Sequence, residues 1–179
     1  MTYFVTSDLH FGHRNIIEFC DRPFADKDDM EWRMIDRWNR VVNVTDTVFV
    51  LGDFSFASKT KTQEILMRLN GFKVFVWGNH DRGRESSILA VPGVVEGMDC
   101  LHRNFNGKLV IMTHYPFESF REDFHFHGHT HGVSTIKAGR IDVGVDANTQ
   151  YQYAPIPLDC IMMDVIERDR KLKLERTRY

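Results

Sequence analysis

The sequence predicts an α/β fold in which two sheets pack face to face with helices outside. In the first half, short runs of β-branched and aromatic residues alternate with amphipathic helical segments. In the second half, closely spaced strands are joined by hairpin signals. Five of the runs also end on side chains able to hold a transition metal: Val5 to His10, Val48 to Asp53, Val74 to Asp81, Leu109 to His114 and Phe124 to His131. Such runs read as strands buried on both faces, and ligands in α/β sheets gather beyond the strand ends.

The run Val5-Thr6-Ser7-Asp8-Leu9-His10 gives the first strand. Asp28-Asp29-Met30-Glu31 then opens a helix, with Asp28 as the cap and Glu31 where a capping box wants an acid. Met30, Met34, Trp38 and Val41 line one face of it, and it runs to Val42 as the first crossover. Trp32 is read as exposed on this helix, a faint hint of an interface. After the strand ending at Asp53, Thr60-Lys61-Thr62-Gln63 is a second capping-box signature. Ile65, Leu66 and Leu69 form that helix's apolar face and Asn70-Gly71 its stop. Strand, helix, strand, helix, strand is the order up to Trp77, which implies right-handed βαβ units in a parallel sheet.

From about Val94 the pattern changes. Asn106-Gly107 separates Cys100–Phe105 from Lys108–Met112, and Ala138-Gly139 separates Val133–Lys137 from Arg140–Val145, so the second half reads as a mixed or antiparallel sheet. Pro155-Ile156-Pro157-Leu158 leads into a short final element. The tail Arg168–Arg178 mixes both signs of charge and reads as a solvated terminal strand rather than a nucleic-acid patch. No linker, repeat or low-complexity segment divides the chain, so residues 1–179 read as a single domain.

Composition narrows the function classes. A formal net charge of −2 offers no field that would draw nucleic acid or an anionic membrane to the whole molecule. Cys20, Cys100 and Cys160 are odd in number and widely spaced, which suggests neither a disulfide framework nor a thiolate zinc site. With no apolar run near the roughly 18 residues of a membrane span and no leader pattern, a cytoplasmic protein is expected.

The residues at the strand ends are carboxylates (Asp8, Asp53), an amide (Asn79) and imidazoles (His10, His114, His129, His131). Oxygen and nitrogen donors without thiolates suit Mn²⁺, Fe, Zn²⁺, Co²⁺ or Ni²⁺ better than Ca²⁺ or a structural zinc knuckle. Seven such groups are too many for one ion. Two ions about 3.5–4 Å apart that share a carboxylate would use them, and phosphoester hydrolysis is the natural chemistry of such a pair. Gly52, Gly78 and Gly128 each precede a key residue and let loops converge without a Cβ in the way. Taken singly, Asp8 fits a loop cap, His114 a buried hydrogen-bonded histidine and Asn79 a turn residue. Taken in order, each after a strand, they fit a metal cluster better.

Asp8-x-His10, Gly52-Asp53, Gly78-Asn79-His80-Asp81, His114 and Gly128-His129-x-His131 resemble the motif set of the calcineurin-like metallophosphoesterases. The Val143-Gly144-Val145-Asp146 and Pro155–Leu158 segments resemble how small bacterial and phage members close the domain. The resemblance implies a four-layer αββα sandwich of two mixed sheets with flanking helices. It further implies one metal held by Asp8, His10, Asp53 and His131, and a second held by Asp53, Asn79, His114 and His129, with Asp53 bridging. Manganese is the first choice of ion, and Fe, Zn, Ni and Co stay open. A bridging hydroxide would attack phosphorus in line while His80 protonates the leaving-group oxygen or binds the phosphoryl group, with Asp81 orienting the His80 imidazole and favouring its charged form.

Protein phosphatases of that superfamily carry an Arg shortly after Gly-Asp, whereas Phe54-Ser55-Phe56-Ala57-Ser58 follows Asp53 here. The expected reaction is therefore hydrolysis of small diesters or nucleotide-type esters, with a phosphomonoesterase as the close alternative. A docking scaffold or a nuclease on polymeric nucleic acid comes further behind. His13 and Arg14 are candidates for contacting a substrate phosphate, with a surface salt bridge as the plain alternative for Arg14. His125 and His127 are expected on one strand face, opposite Phe124 and Phe126, and outside the set of metal ligands, and His102 carries no functional expectation. The aromatic segment Tyr115 to Arg121 is expected to pack onto the core in preference to stacking a nucleobase. The partner is a small phosphoester or nucleotide. Nucleic acid is not favoured, no membrane is expected, and oligomeric state stays open.

Overall fold

The computed structural model describes residues 1–133 and 137–176. Strand β1 (Tyr3–Thr6) is followed by a short α1 (Ile16–Phe19), α2 (Lys27–Val41), β2 (Thr47–Val50), α3 (Lys59–Arg68), β3 (Phe72–Val76), α4 (Glu85–Leu89) and β4 (Val94–Met98). There follow β5 (Cys100–Phe105), β6 (Lys108–Thr113), β7 (Phe124–His127), β8 (Arg140–Asp142), β9 (Ile156–Pro157) and α5 (Leu158–Arg176). The first sheet runs β4-β3-β2-β1-β9, with only β9 antiparallel to its neighbour. The second runs β5-β6-β7-β8, with β5 antiparallel to β6 and the rest parallel. These are the expected mixed sheets flanked by helices. Asn106 and Gly107, both at positive φ, make the β5–β6 hairpin.

Two cores explain the layering. Phe4, Val48, Val50 and Phe75 on the outer face of the first sheet bury against Met30, Met34 and Trp38 of α2 and Ile65 and Leu66 of α3. Val5, Phe49, Leu51, Val74 and Val76 on its other face meet Leu101, Val110, Met112, Phe124 and Phe126 of the second sheet. Period-2 alternation in β1 to β3 thus feeds both cores, so these strands read as continuous apolar runs. Leu158, Ile161, Met162 and Val165 of α5 complete the inter-sheet core beside β1 and β9.

Several local expectations are corrected. Helix α2 starts two residues earlier than read: Asp26, not Asp28, is the cap, its carboxylate accepting from the Asp28 and Asp29 amides. Val41 is exposed while Val42 is buried, because the helix ends there and its last turn rotates away from the core. Ser58, rather than the Thr60 signature, caps α3 by accepting from the Lys61 amide. The tail is helical to Arg176 rather than a strand. The apolar residues at 158, 161, 162 and 165 follow the helical period, and Lys171 pairs with Glu167 one turn back. Most of the strand read over residues 133–137 lies outside the described residues, as does the end of the tail. Trp32 is exposed, as expected.

Candidate metal centre

Parallel pairing puts the carboxyl ends of β1, β2, β3, β6, β7 and β8 on one side of the molecule, and backbone bonds continue past the strands to lock their tips together. The Asp8 amide donates to the Gly52 carbonyl at 3.1 Å, His10 to Asp53 at 3.0 Å, and Gly128 to His114 at 3.0 Å. Asp8, His10, Asp53, His129 and His131 all adopt the left-handed region, with φ between 46° and 69°. Each such residue stores strain, and strain at this many tips in one place marks a site that the surrounding sheets hold in shape. A Cβ on Gly78 would collide with Asp53, and one on Gly128 with Ser7 and Asp8. Only glycine allows these loops to close over the carboxylates.

Three groups of ligand atoms result among the described residues, each spanning no more than 4.8 Å: Cys20, His131 and Asp146 lie behind the site, and two face it, Asp8, His10 and His131, and Asp53, His114 and His129. Asp53 lies between them. Its Oδ2 is 3.7 Å from His10 Nε2, 3.5 Å from His114 Nε2 and 3.8 Å from His80 Nε2. Asn79 Oδ1 is 3.1 Å from His114 Nε2 and accepts from the Tyr115 hydroxyl at 3.2 Å. The seven sequence-derived ligand residues therefore share one site, with His80 at its mouth. His114 Nδ1 is 2.8 Å from the Leu51 carbonyl, where it donates as N–H, which leaves Nε2 facing Asn79 and Asp53.

The donor set fits a pair of divalent cations. Both His10 ring nitrogens are buried with no hydrogen-bond partner, a costly arrangement unless something else coordinates one of them. Burial pushes the Asp8 carboxyl up to about 8 and the His10 imidazole down to about 2. Burial, followed by the nearby His114, also lowers His129. Carboxylate and neutral imidazole crowded into a dry site are the donors a hard or borderline cation takes.

The expected role of Asp81 is corrected. Its oxygens accept the amides of Asp53 at 2.9 Å, Phe54 at 3.1 Å and Gly78 at 2.9 Å, so it ties the β2 and β3 tips together instead of orienting the His80 ring. Burial still raises its carboxyl above the usual range. The His80 amide donates to Asp53 Oδ1 at 2.9 Å, and its ring lies 4.3 Å from Phe56. His13 stacks on the same Phe56 at 4.1 Å and lies 5.6 Å from His10, while Arg14 is exposed and makes no ion pair among the described residues. His125 and His127 are buried on the face of β7 opposite Phe124 and Phe126, and neither belongs to the two ligand groups, though His127 lies near enough to His114 to feel its charge. Phe117 and Phe120 contact His125 at 5.3 and 5.2 Å, but Phe117 stays 40% and Tyr115 48% exposed, so the loop's rings pack on the sheet only in part.

Three residues at the site were given no place in the metal centre by the sequence reading. Tyr115 lies with its ring 4.5 Å from His129. Phe56 separates His13 from His80. Arg22 is fully buried and forms a bidentate pair with Asp146, at 2.8 and 2.7 Å. The first could have been sought from its place next to His114. The other two give no pattern that spacing reveals.

Two mixed sheets flanked by helices thus bring carboxylates and imidazoles together beyond parallel strand ends, in the chain order read from the sequence. No protein-family model matches the chain. It is 32% identical to an uncharacterized protein of Methanocaldococcus jannaschii over 95% of this chain and 94% of that one. It is 30% identical to the gene 66 protein of Mycobacterium phage L5 over 79% of this chain and 85% of its relative. The chain belongs to one family with these two proteins. Among solved structures, a protein of unknown function from Aquifex aeolicus matches with a TM-score of 0.69 and 26% identity, over 90% of this chain and 98% of that one.

Proposed function

We propose that the chain, acting as a single domain, is a metal-dependent phosphoesterase for small diesters or nucleotide-type substrates. The observation that carries the reading is Asp53, a carboxylate flanked within 3.8 Å by imidazoles from three other segments and set between two ligand groups. Asp8, His10, Asp53 and His131 would hold one divalent ion, and Asp53, Asn79, His114 and His129 the other, with manganese the first choice. Bound there, the ions would supply a nucleophile at neutral pH and neutralise charge on the phosphoryl oxygens.

The chain's own residues do the rest. His80, with 42% of its side chain exposed, stands at the mouth, where its imidazole can give a proton to the departing oxygen. Phe56 flanks that ring and keeps it over Asp53. Asp81 fixes the Asp53 and Gly78 backbones from behind. The loop after Asp53, Phe54-Ser55-Phe56-Ala57-Ser58, carries no cation, whereas phosphoprotein phosphatases present an Arg shortly after this Asp, which favours a small ester. The three free cysteines favour a reducing compartment such as the cytoplasm.

The test is hydrolysis of bis-p-nitrophenyl phosphate against p-nitrophenyl phosphate by metal-reconstituted protein, with and without chelator. Chelator-sensitive turnover that favours the diester is the expected result. Preference for the monoester would make it a phosphatase, and no turnover with two ions bound would overturn the enzyme reading.

A further inference from the structure

The Arg22 guanidinium is buried within the segment joining α1 to α2, 14 residues from Asp8 and 124 from Asp146 along the chain. Its Nε and Nη2 grip the two Asp146 oxygens at 2.8 and 2.7 Å. Its Nη2 also donates to the Asp8 carbonyl at 2.8 Å, and its Nη1 to the Leu9 carbonyl at 2.9 Å. One rigid fork therefore holds the left-handed β1 tip and the Asp146 carboxylate at once. Asp146 in turn meets His131 Nδ1 at 2.7 Å. A carboxylate paired with Arg22 can only accept, so the His131 proton resides on Nδ1 and Nε2 is the nitrogen left to coordinate. Cys20 Sγ also lies 3.5 Å from His131 Nδ1, but that nitrogen and both Asp146 oxygens are already engaged.

We infer that Arg22 and Asp146 are positioning residues for one of the two metal positions, that of Asp8, His10 and His131: Asp146 sets the His131 tautomer while Arg22 holds the Asp8 tip in register with it. This rests on the proposed two-metal reading and adds a prediction specific to one position. In the Asp53, His114 and His129 group the Leu51 carbonyl orients His114, and among the described residues no hydrogen bond joins Arg22 or Asp146 to any of the three side chains.

The discriminating variant is Asp146→Asn. It keeps size and its oxygen can still accept from Arg22 Nε, while its amide, in place of the Oδ2 that Arg22 Nη2 and His131 share, gives up the Nη2 bond and donates to His131 Nδ1. That moves the imidazole proton to Nε2, as an isosteric Asp-to-Asn change does beside other catalytic histidines. Calorimetric titration of chelated protein with Mn²⁺ should give two events for wild type. In Asp146→Asn one event should weaken about 10- to 100-fold while the other is unchanged. Arg22→Lys, which keeps the charge and loses the fork, should weaken the same event by less. Wild-type affinity at both positions in both variants, or equal weakening of both, would overturn the inference.

Should Asp146→Asn fail to fold, long-range ¹H–¹⁵N spectra of chelated wild type at pH 9 decide the matter. Protonation of His131 on Nδ1 is expected, and protonation on Nε2 would overturn it. Wild type that takes up no Mn²⁺ yet shows the Nδ1 proton would sink the two-metal reading and leave the hydrogen-bonded arrangement standing.

Discussion

The two halves of the metal centre are built differently. Asp8 and His10 lie almost wholly out of solvent, backed by a buried arginine and by glycines that admit no Cβ, and every link behind them is backbone or a charge pair. Across Asp53, His129 is exposed and Asn79 half-buried, and their neighbour Tyr115 belongs to a surface loop pinned by Phe117 and Phe120. One half is backed by buried backbone and a charge pair; the other adjoins solvent and a surface loop held by ring contacts on His125 and by bonds from Thr113 and Arg140 to the Tyr115 and Phe117 carbonyls. On the proposed two-ion reading, the deep half would fix an ion while the open half, with His80 beside it, would receive and release substrate.

The largest effect should come from the residue both halves share. Asp53→Asn is expected to lower kcat/KM for the diester by about 10³-fold or more, the scale of losing a preorganised charge at the reacting centre, while the chelated protein melts normally. Full activity in this variant would remove the basis for treating the halves as one site.

His80→Ala probes the open half alone. A loss of about 10²-fold is expected for esters with poor leaving groups, and much less for p-nitrophenolate, which departs without a proton. Equal losses on both substrate types would assign His80 to phosphoryl binding instead.

Metal removal measures the pair together. Mn²⁺ at about 100 times its dissociation constant should stabilise the fold by about 2.7 kcal/mol, read as a rise in melting temperature. His10→Ala should take away most of that gain, whereas His129→Ala, at the solvent edge, should take away less. The smallest expected effect is in the loop: Phe117→Ala with Phe120→Ala should cost about 1–2 kcal/mol of stability and loosen Tyr115. Normal stability combined with selective loss of nucleotide-ester turnover would instead show that these rings stack substrate.

What the sequence disclosed follows from how each feature is encoded. Strands β1, β2, β3 and β6 were legible because burial on both faces leaves uninterrupted apolar runs, and the ligands because each sits at a run's end. The Asn106-Gly107 hairpin was legible because few residue pairs accept its backbone. Caps were harder, since Asp26, Asp28 and Asp29 are equally suited by chemistry and only the chain's entry angle selects Asp26. The last helix was obscured by its own charges, which hid an apolar stripe ending at Val165. Asp81 was misassigned because sequence adjacency to His80 says nothing about which way a carboxylate turns within a 3₁₀ turn. Arg22 was invisible, since its partners are two backbone carbonyls nearby and an acid at position 146, a long-range arrangement with no local signature.

The left-handed tips carry a consequence for how this chain could change. Asp8, His10, Asp53, His129 and His131 each hold a backbone shape that costs on the order of 1–3 kcal/mol for ordinary residues and almost nothing for glycine. Selection for durability alone would therefore erode the site first, since glycine at any of these positions relaxes the fold as it deletes a ligand. A descendant freed from its chemistry should be recognisable as a sturdier copy with glycines at the ends of its strands.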